Sequence, residues 1–139
     1  MLPHTPKDYI LKVSREEIIH KGELVRRLTK KDFQLVPDLY QNVDYSVPMR
    51  GHGQMIPFSL NVPFVSLSTQ DKVKGFAFYS GLEDYSVDIK EEDWAQKLDD
   101  KVGKLNTDEQ YLSEWYTIRN RKMAECQEQI DKFVEKMLE

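Results

Sequence analysis

The residues best suited to chemistry lie in one short run, Met49-Arg50-Gly51-His52-Gly53. An arginine guanidinium grips a carboxylate or phosphate through two parallel hydrogen bonds, and an imidazole can give up a proton near neutral pH. Glycines at 51 and 53 allow a ligand to approach the backbone closely. The run joins a strand-like segment to a helix-like one, so the helix start would add outward N–H groups and a positive dipole end. Together these make an anion pocket, with Arg50 as the grip and His52 as a proton donor. A plainer arrangement uses the same residues: Arg50 paired with a carboxylate such as Asp44, and His52 capping the helix.

Other reactive side chains offer less. Cys126 is the one cysteine of 139 residues, so no disulfide forms within the chain, and its place on an apolar helical stripe reads as structural. His4, His20 and His52 share no metal-ligand spacing, and no metal or cofactor is expected. Glu83, Asp84, Asp88, Glu91, Glu92 and Asp93 form an acidic stretch best read as a solvated rim. Trp94, Trp115 and Tyr116 fall on apolar stripes and are assigned to the core rather than to a sugar platform.

The elements that must position the run follow from periodicity. Asp8 to Lys21 reads as a helix closed by Gly22, and Glu23 to Leu28 fits neither helix nor strand cleanly. Thr29 is placed as the N-cap of a helix running towards Asn42, bent at Pro37. Strands are expected at Val43–Val47, Phe64–Ser68 and Tyr85–Ile89, separated by helices over Gln54–Leu60 and Asp71–Ser80, the second closed by Gly81. Strand, helix, strand, helix, strand with short connections predicts a parallel sheet with right-handed crossovers. Two helices follow. The first buries Trp94, Leu98, Val102 and Leu105; the second starts at Thr107 through a Thr-x-x-Gln capping box to Gln110. The stripe of the second runs from Leu112 through Trp115 or Tyr116, Met123, Cys126 and Ile130 to Met137, longer than a small sheet can cover. The expected fold class is therefore α/β: a Rossmann-like three-layer α/β/α domain with a small parallel sheet, ending in a long helix.

Composition narrows the partners. A net charge of −4 argues against nucleic acid, and no apolar run approaches the ~18 residues of a membrane span. With no signal-peptide h-region in its first residues, the chain reads as a soluble, cytoplasmic single domain.

Three blocks in order, 50–58 (Arg-Gly-His-Gly-Gln-Met-Ile-Pro-Phe), 62–73 (Val-Pro-Phe-Val-Ser-Leu-Ser-Thr-Gln-Asp-Lys-Val) and 81–85 (Gly-Leu-Glu-Asp-Tyr), resemble the polysaccharide pyruvyl transferase family. The resemblance covers roughly Asp38 to Ile89. It implies the C-terminal, donor-side lobe of a two-lobed GT-B-like enzyme that moves a pyruvyl group from phosphoenolpyruvate onto a sugar as a ketal. It also implies roles: Arg50 on the donor's anionic groups, His52 as proton donor or stabiliser of departing phosphate, and Lys72 as added charge. Gly51 and Gly53 would line the same pocket, and His4, after Pro3, resembles a strand-end turn that faces the cleft in that family. Gly51 stands where many relatives carry an apolar residue, a departure that leaves Arg50 and His52 intact. For Lys72 the plainer alternative is an Asp71–Lys72 pair opening a solvated helix.

The expected partners are phosphoenolpyruvate and a saccharide acceptor, with a second copy or an N-terminal lobe packing on the last helix. Two rival readings share the fold: a non-catalytic binding or assembly module, and the lobe of a nucleotide-sugar glycosyltransferase.

Overall fold

The computed structural model describes residue 37 and residues 40–139. His4, His20, the helix expected over Asp8–Lys21, the segment Glu23–Leu28 and most of the helix drawn from Thr29 lie outside the described residues.

Helix α1 spans Gly51–Ser59 and is followed by strand β1, Ser66–Ser68. Helix α2, Asp71–Ser80, leads through a 3₁₀ turn at Glu83–Tyr85 to strand β2, Ser86–Asp88. Helices α3, Trp94–Thr107, and α4, Glu109–Leu138, complete the order. The described residues are thus mixed α/β and mostly helical around a small parallel sheet. β1 and β2 pair in parallel with Ser66 opposite Ser86, Leu67 opposite Val87 and Ser68 opposite Asp88.

The strand expected at Val43–Val47 contracts to a single parallel bridge, Ser46 to Phe64. Ser46 donates to the Pro63 carbonyl and accepts from Val65 N–H, and the Pro48 carbonyl accepts from Leu67 N–H. Position 48 should donate next on that side, and proline has no N–H to give, so the ladder stops. Helix α1 begins at Gly51 instead of Gln54, which brings the glycine run inside its first turn. Helix α4 is capped by Asp108, not Thr107: the Asp108 carboxylate accepts from Tyr111 N–H at 3.0 Å, and Thr107 belongs to the end of α3.

β1 is buried on both faces, as a strand covered by helices must be. Its serines survive there because Ser66 Oγ reaches the Tyr85 carbonyl at 3.5 Å and Ser68 Oγ pairs with Ser86 Oγ at 2.9 Å. The core gathers Phe58, Phe64, Val65, Leu67, Leu82, Tyr85, Val87 and Leu105 around Trp115. Trp115 is 0% exposed and stands edge-on to Phe64 at 5.5 Å and to Phe58 at 6.4 Å. The α3 stripe packs as its spacing requires, with Trp94, Leu98 and Val102 against that core. No helix among the described residues is long and apolar enough to cross a membrane.

Candidate functional site

Two helix starts come together where the parallel segments end. The chain from Ser46 to Met49 delivers Arg50, which caps α1 in an extended conformation (φ −135°, ψ 156°). β1 delivers Gln70, which caps α2 in nearly the same conformation (φ −148°, ψ 153°). Neither N-cap side chain bonds to its own first turn. Outward N–H groups and positive dipole ends are therefore offered at both starts, the arrangement that suits an anion.

Two contacts hold the starts side by side. Thr69 Oγ1 donates to the Met49 carbonyl at 3.1 Å, and Gln54 Nε2 donates to the Val73 carbonyl at 3.2 Å. Gln54 is wholly buried, and its Oε1 has no hydrogen-bond partner, so the side chain spends its amide N–H on joining α1 to α2. Sequence reasoning missed both residues. A glutamine at the head of the mostly apolar run 54–60 was the available signal.

The expected site residues divide between the two starts. Arg50 and His52 are exposed at the start of α1, Gly51 is half-buried and Gly53 is buried. A Cβ at Gly51 would meet nothing within 4 Å, so open space adjoins the backbone there. Lys72 is exposed in the first turn of α2, just before the Val73 carbonyl that receives Gln54. His4 lies outside the described residues.

Asp88, Glu91 and Asp93 of the acidic stretch are drawn into ion pairs. Lys74 pairs with Asp88 and holds its carboxyl below the usual carboxylate range, aided by the Lys90 N–H. Lys97 does the same for Glu91. Among the described residues no group of three or more His, Cys, Asp or Glu side chains could hold a metal ion. A groove of about 370 Å³ beside the Lys74–Asp88 pair is lined by Ser68, Phe78, Glu83 and Ser86 as well, and none of Arg50, His52 and Lys72 lines it. Trp115 is core, as its stripe position predicts, and Trp94 is half-buried against the same cluster. Cys126 is half-buried, with its Sγ 3.8 Å from the Tyr79 hydroxyl. No protein-family model, no curated protein and no solved structure matches the chain.

Proposed function

We propose that this chain is the donor-binding lobe of a polysaccharide pyruvyl transferase-like enzyme, with the three-layer Rossmann-like architecture of a GT-B C-terminal lobe. The observation that carries the reading is a coincidence: the Arg50-x-His52 block that resembles the family falls on the start of α1, which Thr69 and Gln54 join to the start of α2.

Phosphoenolpyruvate carries its phosphate and its carboxylate on the same carbon, so two helix starts side by side, with Arg50 at the first of them, suit it electrostatically. In the proposed reaction two sugar hydroxyls form C–O bonds to C2 of the donor. The methylene carbon takes up a proton, the C2–O bond to phosphate breaks, and inorganic phosphate leaves. Arg50 holds the donor's anionic groups, His52 supplies a proton or hydrogen bond to the departing phosphate, and Lys72 adds charge from the second helix start. The sugar would enter from a facing lobe.

Calorimetric titration with phosphoenolpyruvate tests the assignment. A hydrogen-bonded grip on a charged group contributes about 1.5–3 kcal/mol, so Arg50→Ala should weaken binding by roughly 10- to 100-fold. Equal affinity in the two proteins, or no binding in either, sinks the pocket. Tighter binding of a nucleotide sugar than of phosphoenolpyruvate would instead support the glycosyltransferase alternative.

A further inference from the structure

Helix α4 outruns the domain it packs on. Trp115, Ile118 and Arg119 hold its first half to the core and to α1, Lys122 lies over the Tyr79 ring at 4.6 Å, and Cys126 reaches the Tyr79 hydroxyl. From Gln127 to Glu139 every residue is exposed. The exposed segment is amphipathic. Ile130, Phe133, Val134 and Met137 follow one another at helical spacing, with Phe133 63% and Met137 70% exposed. Counted at 100° per residue they continue the same side of the helix that carries Trp115, Arg119, Lys122 and Cys126.

We propose that this stripe binds its counterpart on a second copy of the chain, as an antiparallel pair of α4 helices related by a two-fold axis. The direction follows from where the stripe points. It continues the face that already carries the domain, so a parallel pair would force both domains into the space between two helices about 10 Å apart. The antiparallel pair sends the two domains to opposite ends, and the overhangs from Gln127 onward overlap alone.

Area and charge agree with that occupant. With Leu138 the stripe exposes on the order of 600 Å² of apolar surface, so covering it on both copies removes about 1,200 Å², the lower end for a specific interface. In an antiparallel pair each flank of the stripe meets itself. Lys136 then faces Gln129 of the partner subunit, and Gln127 faces Val134 of the partner subunit, so no like charges oppose. A solitary helical segment of about 12 residues is marginal in water, and pairing gives this one a packed face.

Light scattering and sedimentation over about 10–300 μM should show a mass rising from 16.4 kDa towards twice that value. A double variant, Ile130→Lys with Phe133→Lys, should stay monomeric throughout, with the near-ultraviolet signal of Trp115 retained as evidence of an intact core. A wild-type chain that is monomeric over the whole range overturns the proposal, as does a double variant that still dimerises. Orientation is read by spin labels on a Cys126→Ser background. Labels at Asp131→Cys, on a flank of the stripe beside the axis, should lie nearer each other than labels at Ala124→Cys, seven residues earlier on the same flank, whose offset along the helices is about 20 Å greater because each residue away from the axis adds 1.5 Å on both helices. Equal separations at the two positions would mean a parallel pair and overturn the geometry.

Discussion

Arg119 of α4 donates from Nε to the Phe58 carbonyl at 2.8 Å and from Nη2 to the Ser59 carbonyl at 2.8 Å. One guanidinium thus satisfies two carbonyls at the C-terminal end of α1, the helix whose other end carries Arg50 and His52. Its carbon also stands 5.8 Å from the centre of the Phe58 ring. The long helix is therefore fastened to the helix of the candidate site by a side chain 60 residues further along the chain.

Replacing Arg119 should show how much that fastening contributes. Arg119→Ala removes the guanidinium from both carbonyls, leaving Phe58 with the Asn61 N–H at 3.3 Å, and hydrogen bonds from a charged group give about 1.5–3 kcal/mol. Urea denaturation should register a loss of that size, with Arg119→Lys recovering only part, since one ammonium cannot span two carbonyls as the planar fork does. An alanine variant as stable as the parent would show that the contact is incidental.

Gly81 and Gly103 make a matched pair with opposite expectations. Gly81 closes α2 at φ 77°, and a Cβ there would sit 3.3 Å from Ile118 Cγ2 on α4. Gly81→Ala combines left-handed strain with crowding and should cost about 1–3 kcal/mol. Gly103 lies exposed inside α3, where a Cβ meets nothing within 4 Å, and Gly103→Ala should gain about 0.5–1 kcal/mol. Thermal unfolding of the two single variants checks both signs, and the assignment fails if they shift in the same direction.

Alkaline pH should unfold the protein through its buried phenols. The Tyr85 hydroxyl donates to the Tyr111 carbonyl at 2.7 Å, and the Tyr111 hydroxyl donates to the Asp84 carbonyl at 3.0 Å. Burial pushes the Tyr85 phenol well above its ordinary value of 10.0, and pushes those of Tyr111 and Tyr40 up to about 12. In the unfolded chain these phenols ionise near pH 10, whereas the folded protein keeps their protons. The unfolded state therefore binds fewer protons above pH 10, and stability, constant below that pH, falls as pH rises through the folded values. Urea midpoints measured from pH 8 to pH 11 should be flat at first and then drop. Tyr85→Phe should flatten the drop while costing about 0.5–1.5 kcal/mol at pH 7 through the lost hydrogen bond. A wild-type midpoint that stays level to pH 11 would contradict the account.

The sequence by itself determined the helices whose apolar spacing is regular, because one-sided burial at a period of 3.6 residues leaves a pattern that does not depend on the partner. Trp94, Leu98, Val102 and Leu105 are the case in point, and Gly81 marked a helix end because few other residues adopt φ 77° without strain. Parallel strands were legible too, from their short apolar runs alternating with helices. Arg50 and His52 stood out by residue type and glycine neighbours, and they do lie at a helix start.

Tertiary structure decided the rest, and in each case through a contact that no local pattern encodes. Ladder pairing ended at Pro48 because the position opposite Val65 requires a donor, a demand set by the neighbouring strand. Thr69 and Gln54 became the residues that set the two helix starts side by side only once β1 brought α2 against α1. Arg119 carries no local signal of its role in a charged helix, and the role comes from α4 crossing the end of α1. The stripe from Leu112 to Met137 is continuous in sequence, yet the core covers Trp115 and leaves Phe133 in solvent. Helical periodicity records which face is apolar, and only the extent of the domain beneath decides where along that face the burial stops.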